Sequence, residues 1–163
     1  ATPFTPELTS SSANPPTGRI VFTCQMFKTQ ASDQICIINA DGTGYQQLTS
    51  LEANSYYPVY SPLGGSIVYA SNQNGGVFDL FLFVFEGSRL VRLTNFIGNV
   101  ISPTFSPDGS KILFANRAAE GPTSLWTVDN TGANPDLFIM TLGDVKTMSR
   151  SYSRSSRSWM MSM

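Results

Sequence analysis

The feature that most constrains the fold is an internal repeat of about 45 residues. Leu48-Thr49 recurs as Leu93-Thr94, and Ser61-Pro62 recurs as Ser106-Pro107, each 45 residues further along the chain. The apolar triplet Ile67-Val68-Tyr69 has equivalents 45 residues after it and 47 residues before it. Because several independent motifs keep nearly one spacing, the sequence predicts a repeat architecture built from one supersecondary unit.

Each unit is predicted to contain four short strands with a tight turn between the first two. Proline fixes φ at the first turn position, and glycine adopts conformations that residues with a Cβ avoid. The strands are rich in β-branched and aromatic residues, which favour extended structure. The residues predicted to form the repeated turn are Ser61, Pro62, Gly64 and Gly65 in one unit and Ser106, Pro107, Asp108 and Gly109 in the next.

Two segments, Ile35 to Ile38 and Leu80 to Phe85, are continuously apolar. A strand reads this way when both of its faces are buried, whereas a strand in a two-layer sandwich alternates. The inner strands of a β-propeller blade lie between two neighbouring blades and meet this condition. We therefore predict an all-β fold, a partial β-propeller whose blades have four antiparallel strands.

The run Ser106-Pro107-Asp108-Gly109-Ser110-Lys111-Ile112-Leu113-Phe114 resembles the hallmark Ser-Pro-Asp-Gly-x-x-Ile-x-Phe of TolB-type, WD-like propeller repeats. A companion motif that ends in Leu-Thr is similar to Ile35 to Thr49, with Cys36 at an aromatic position. The resemblance covers nearly all of the chain beyond Gly18. It implies the propeller fold, in rings with about twice as many blades as this chain has repeats. It implies little about function, because propellers host many functions.

The repeats divide the chain into an arm and a propeller region. Residues 1–17 are rich in Pro, Ser and Thr and predict an extended arm or linker. The region 18–163 is the partial propeller. Its units are predicted at about 18–55, 56–100, 101–141 and, as a degenerate half unit, 142–163. An altered C-terminal sequence is a rival interpretation of this last segment.

The residues that common enzymes use are missing. The sequence has no histidine, which excludes Ser-His-Asp and Cys-His catalysis and His-ligated zinc. Two cysteines alone do not form a structural zinc site, and no phosphate-binding glycine loop is present. The run from Asn39 to Gly44 begins like a calcium loop, but Ser50 stands where a bidentate glutamate is needed. We predict a protein that is not an enzyme and needs no cofactor or metal.

Charge and cysteine content indicate the compartment. The net charge of −1 provides no basic field for nucleic acid, and no apolar run approaches the ~20 residues of a membrane span. A charged share of 13% suits an extracytoplasmic all-β protein. Cys24 and Cys36 are either a cross-strand disulfide or two buried thiols. Their even number in such a chain favours the disulfide.

Our first functional hypothesis is head-to-tail self-association into a ring or a filament. The first unit has no clear first strand, whereas the last segment contains only a first and a second strand. Uncovered blade faces and strand edges are adhesive, and such contacts close into rings or continue as filaments. The residues predicted to meet between copies are Tyr152, Trp159, Met160 and Met161 on one side and Ile20 and Phe22 on the other.

Two other functions are open. The chain is alternatively a TolB-like scaffold that holds another envelope protein, with Tyr45, Tyr56 and Tyr57 as exposed anchors. The third alternative is the propeller part of a larger enzyme such as a peptidase, although no catalytic group in the sequence supports it.

Overall fold

The computed structural model describes residues 16–25, 32–49, 52–118 and 122–139, and these form the all-β fold that the repeats predict. They contain no helix long and apolar enough to cross a membrane. A single 3₁₀ turn covers Glu86–Ser88 within this part of the chain. The strands are β1 (Arg19–Cys24), β2 (Gln34–Asn39), β3 (Gln46–Gln47), β4 (Ser55–Tyr60), β5 (Ser66–Ser71), β6 (Asp79–Val84), β7 (Arg89–Arg92), β8 (Asn99–Phe105), β9 (Lys111–Arg117), β10 (Thr123–Asp129) and β11 (Asp136–Ile139).

Three antiparallel sheets follow one another along the chain as propeller blades. Blade 1 has the strand order β1-β2-β3, blade 2 has β4-β5-β6-β7, and blade 3 has β8-β9-β10-β11. Blades 2 and 3 have the predicted four strands, while blade 1 has three in the described ranges. Most of the predicted arm and the whole predicted half unit at 142–163 lie outside the described residues.

The repeated turn joins the first two strands in both complete blades. The backbone N–H of Gly64 donates to the carbonyl of Ser61, and Gly109 donates likewise to Ser106, each at 2.9 Å. Both glycines have positive φ, at 75° and 73°, a conformation that side chains with a Cβ rarely adopt. The same turn geometry therefore reverses the chain at one end of each blade.

Apolar side chains pack between blades rather than inside them. Ile35 of blade 1 packs against Ile67, Tyr69 and Phe81 of blade 2, with all four side chains almost completely buried. The opposite face of blade 2 forms a larger cluster with blade 3. Its buried members are Val68, Ala70, Leu80, Leu82, Leu93, Val100, Phe105, Ile112, Phe114 and Val128. Both faces of β5 and β6 are thus buried, as the continuous apolar sequence of β6 predicts.

Polar contacts between blades repeat with the same spacing. The Asn54 side-chain oxygen accepts from the Asp33 backbone N–H at 2.9 Å and joins blade 2 to blade 1. The Asn99 side-chain oxygen accepts from the Phe78 backbone N–H at 3.2 Å and joins blade 3 to blade 2. These paired bonds set the position of each blade relative to the one before it.

Candidate interaction face

Metal-ligating side chains do not cluster in the part of the chain that the structure describes. These residues contain no group of three or more His, Cys, Asp or Glu side chains placed to hold a metal ion. One deeply buried acidic side chain, Asp79, pairs with Arg92 at 2.6 Å. It also accepts a hydrogen bond from Thr94 Oγ1 at 2.8 Å, so the fold itself uses this carboxylate.

The feature that stands out is the side of blade 1 that faces away from blade 2. Side chains alternate between the two faces of a strand, and Val21 and Ile35 pack toward blade 2. Ile20, Phe22 and Ile38 therefore lie on the other side, where Ile20 is 52% exposed and the other two are half-buried.

A disulfide lies on this same side and joins β1 to β2. In the strand register Phe22 is opposite Cys36, and Cys24 is opposite Gln34, so the bond between Cys24 and Cys36 runs diagonally across the pair. Tyr45 donates from its hydroxyl to the Cys36 sulfur at 2.9 Å while its own side chain is 41% exposed. We call Ile20, Phe22, Ile38 and Tyr45 the open face of blade 1.

The equivalent side of blade 2 shows what this face resembles. The side chains of Ile67 and Tyr69 hold the positions in β5 that Ile20 and Phe22 hold in β1, and blade 1 covers both. In blade 2 this side is thus the surface that contacts the preceding blade. Ile20, at the same place in the repeat, is more than half exposed.

The first strand of blade 1 also has an unusual edge. In blades 2 and 3 the strands β5 and β9 each pair with two neighbours. Among the described residues, β1 pairs only with β2. An unpaired strand edge presents a row of backbone donors and acceptors to which another chain can add.

Blade 3 carries a separate apolar cluster on the side away from blade 2. Leu113, Ala115 and Leu125 are 5%, 1% and 3% exposed and pack together with Ile101. They occupy the repeat positions that Val68, Ala70 and Leu80 hold in blade 2, where those side chains form the contact with blade 3. Blades 1 and 3 therefore both keep, on the side away from blade 2, the residue types of a blade-to-blade contact.

The other residues singled out from the sequence lie in several places. The side of blade 1 that faces away from blade 2 brings together four of them: Ile20, Phe22, Cys24 and Cys36. The residues of the repeated turn, from Ser61 to Gly65 and from Ser106 to Gly109, lie at one end of blades 2 and 3, where Gly109 is close to Ser61 and Leu63. The proposed contact residues Tyr152, Trp159, Met160 and Met161 lie outside the described residues.

Sequence reasoning missed Ile38 on the open face and the interblade bonds of Asn54 and Asn99. Ile38 was assigned only to a doubly buried strand, and alternation along β2 is the signal that would have separated its two sides. The two asparagines stand 45 residues apart, a spacing that would have marked them as repeat positions.

Comparison with known proteins gives the fold a context. No protein-family model and no curated protein sequence matches this chain. The crystal structure of TolB from Acinetobacter baumannii is similar with 20% identity and a TM-score of 0.60, over 76% of this chain and 30% of that one. A putative TolB from Agrobacterium tumefaciens is similar with 23% identity and a TM-score of 0.61, over 77% of this chain and 50% of that one.

An oligogalacturonate lyase from Vibrio parahaemolyticus is also similar, with 16% identity and a TM-score of 0.54, over 71% of this chain and 32% of that one. The chain thus spans between about a third and a half of the length of these structures. At such identities the comparison concerns the fold, which enzymes and TolB proteins share. The chain has the β-propeller fold of TolB-like proteins, and its described residues form three blades.

Proposed function

We propose that this chain is a non-enzymatic, extracytoplasmic β-propeller module that self-associates head-to-tail through the open face of blade 1. One observation carries the proposal: an apolar blade face is half exposed at the position where blade 2 receives a neighbouring blade. Burying such a face against a second apolar surface is favourable in proportion to the area removed from water.

A second copy of this chain is the occupant that the repeat favours. Blade-to-blade packing joins two different sides of the repeat, so the same contact between molecules is heterologous. On the donor side, residues 142–163 follow blade 3 in sequence and contain Tyr152 and Trp159-Met160-Met161. Their packing against Ile20 and Phe22 of the next copy produces a ring if the rotation closes and a filament if it does not.

An extracytoplasmic location is supported by the Cys24–Cys36 disulfide. Such bonds persist in oxidising compartments and are rare where thiols are kept reduced. The absence of histidine from the sequence supports a non-enzymatic role, because histidine is the commonest general base at neutral pH. Together these features favour a structural or binding module outside the cytoplasm.

The experiment measures oligomeric state by light scattering over a concentration series. We expect oligomers that grow with concentration in the unmodified chain and are lost in Ile20→Asp, because a charge on the open face opposes burial. The matched control is Leu90→Asp, since Leu90 is also an exposed strand residue, at 45% against 52% for Ile20, and lies in blade 2. Circular dichroism verifies that both variants keep the β fold.

Deletion of residues 142–163 tests the other half of the contact. We expect the truncated chain to lose its oligomers while residues 1–141 keep their β spectrum. A chain that is monomeric at every concentration, or oligomers that survive Ile20→Asp, would refute the proposal.

A TolB-like scaffold for another envelope protein is the second candidate function. The similarity to two TolB structures and the exposed ring of Tyr45 favour it. A third candidate is the propeller part of a larger enzyme, favoured by the similarity to an oligogalacturonate lyase and to a dipeptidyl peptidase 4 from Porphyromonas gingivalis. A monomer that retains an envelope protein in a pull-down points to the scaffold.

A further inference from the structure

One end of blade 2 gathers loops that neither the fold nor the proposed contact explains. Ser55 at the start of β4 pairs with Ser71 at the end of β5, and Ser71 pairs with Asp79 at the start of β6. β7 runs antiparallel to β6, and its last residue, Arg92, is opposite Phe81, two residues after the start of β6. We call residues 54–57, 72–78 and 92–98 the loop end of blade 2.

Tyr57 is the first unusual residue of the loop end. Its φ is +56°, its side chain is 47% exposed, and it lies in an irregularity of the β4–β5 register. The equivalent residue of blade 3 is Ser102, which has φ +51° at the same kind of irregularity. Blades 2 and 3 thus share this backbone geometry, but only blade 2 of the two has an aromatic side chain at the position. A bulky side chain in this conformation is strained, and its exposed ring gains little from packing in return.

Phe96 repeats this combination on the outer side of the same end. Its φ is +52° and its ring is 55% exposed. The backbone N–H of Phe96 donates to Asp79 Oδ1 at 3.0 Å, which holds the loop in place. The Arg92 guanidinium lies over the ring at 4.4 Å from its centroid. Two strained and exposed aromatic residues therefore lie in the first and the last segment of the loop end.

The inner ring has a rigid support. Tyr56 packs between Tyr57 and Phe78, with ring centroids 6.0 and 5.6 Å away. Its hydroxyl donates to Asp33 Oδ2 at 2.7 Å, and this hydrogen bond, with burial, raises the pKa of Tyr56 to about 12. One hydrogen bond and two ring contacts thus hold the Tyr56 side chain beneath the ring of Tyr57.

The groups around the rings are amides and paired charges. Asn74 and Asn95 are exposed, and the Asn74 oxygen, oriented toward Arg92, accepts from its Nε and Nη1 at 3.2 and 3.1 Å. Arg92 is already paired with Asp79 at 2.6 Å. The loop end thus presents ring faces and hydrogen-bonding amides, while its cation is neutralised within the protein.

We propose that the loop end of blade 2 binds a neutral oligosaccharide. The C–H faces of sugar rings pack on Tyr57 and Phe96, and sugar hydroxyls bond to the amides of Asn74 and Asn95. From β4 to β7 the surface spans three strand spacings, about 14 Å, which suits a short chain of sugars rather than a single ring. The paired state of Arg92 disfavours an anionic ligand. None of these residues belongs to the open face of blade 1, so the inference does not depend on self-association.

The test uses the full chain and isothermal titration with cellotriose, maltotriose, xylotriose and tri-N-acetylchitotriose. We expect at least one of these neutral probes to bind with millimolar or tighter affinity and trigalacturonate to bind more weakly. Tyr57→Ser, which copies the residue of blade 3, should weaken binding about tenfold, while Tyr57→Phe keeps the ring and most of the affinity. The matched control Phe138→Ser removes an exposed aromatic ring from β11 of blade 3 and should leave binding unchanged.

Ile20→Asp separates this inference from the proposed function, because a monomeric variant should still bind the sugar. The inference is overturned if no neutral probe binds at about 10 mM. It is equally overturned if Tyr57→Ser binds as well as the unmodified chain. Peptides that depend on Tyr57 in a display selection, with no saccharide bound, would assign the surface to a protein partner and overturn it as well.

Discussion

Blades 1 and 2 satisfy the same buried position in two different ways. Gln34 begins the third strand of the repeat in blade 1, and Asp79 begins it in blade 2, with 0% and 1% exposure. A threonine of the Leu-Thr motif donates to each of them: Thr49 to Gln34 Oε1 at 2.7 Å, and Thr94 to Asp79 Oδ1 at 2.8 Å. Blades 1 and 2 therefore both place a side-chain acceptor at this position.

The remaining contacts decide whether that acceptor is charged. Asp79 also accepts from the Phe96 backbone N–H and pairs with Arg92, so its surroundings are donors. The Gln34 amide instead donates from Nε2 to Ser32 Oγ and to the Ala53 carbonyl, both at 3.0 Å. A buried polar group is tolerated when its own hydrogen-bonding capacity is met, and the local partners choose between amide and carboxylate.

The two blades also differ in the contacts of the second strand of the repeat, which is β5 in blade 2 and β1 in blade 1. In blade 2, β5 lies between β4 and β6, and both neighbours supply backbone hydrogen bonds. In blade 1, within the described ranges, β1 pairs with one neighbour, β2, and the Cys24–Cys36 disulfide links these two strands covalently. The covalent link is thus found in the blade in which this strand pairs with fewer neighbours.

Exchange of the two side chains gives the largest expected effect. Gln34→Glu places a carboxylate against the Ala53 carbonyl, which is also an acceptor, so we expect a loss of about 3–5 kcal/mol of unfolding free energy near pH 7. Burial raises the pKa of the new carboxyl above its unfolded value. The penalty is therefore absent below the unfolded pKa and grows as pH rises. Urea unfolding at neutral and acidic pH measures both quantities.

Asp79→Asn is the reciprocal change, and Lys111→Met is its surface control. Asp79→Asn leaves Arg92 without its counter-ion, but the arginine side chain is 26% exposed, so water offsets part of the loss. The Lys111–Asp129 pair is exposed, and its removal should cost less than about 1 kcal/mol. Equal stability of Gln34→Glu and the unmodified chain would contradict the role assigned to the local partners.

Reduction of the disulfide should have the next largest effect. The two cysteines are 12 residues apart, and a loop of this size corresponds to about 3 kcal/mol of stabilisation through the unfolded state. Thermal unfolding with and without reductant measures it. The double variant Cys24→Ala/Cys36→Ala should unfold at the lower temperature of the reduced chain, and reductant should not change its melting temperature. A melting temperature that reductant leaves unchanged in the unmodified chain would show that β1 does not depend on the covalent link.

The smallest effect concerns the repeated turns. In blade 3 the Asp108 carboxylate accepts from Ser106 Oγ at 2.6 Å and from the Ser110 N–H at 3.1 Å, which lowers its pKa from 3.8 to about 2. Its contribution is present above the unfolded pKa and is lost as pH falls from 3.8 toward 2. Blade 2 has Leu63 at this position, 77% exposed.

Leu63→Asp should therefore raise the melting temperature slightly at pH 5 and add a second acid-sensitive contribution, while Asp108→Leu removes the first. Melting temperatures at pH 5 and pH 2.5 measure the change. If Leu63→Asp is destabilising at pH 5, the turns of blades 2 and 3 are not equivalent in their surroundings.

Much of this fold was predictable because the repeat is local. The strands β5, β6, β9 and β10 follow from apolar runs bounded by turns, and the Ser106–Ser110 turn follows from Pro and Gly at set positions. The pairing of Cys24 with Cys36 was one of two options that the sequence left open. The candidate site was less predictable, since neither the strained backbone of Tyr57 nor the burial of Asp79 has a signal in local sequence.

The sequence by itself determined the period, the repeated turn and the burial of both faces of β6, because these depend on hydrophobic pattern and turn chemistry within some 45 residues. Only the tertiary structure decided which face of blade 1 stays exposed and which aromatic rings share one end of blade 2. Those properties depend on which neighbour covers each surface and on where a strand register slips. Both are set by contacts between segments far apart in the chain.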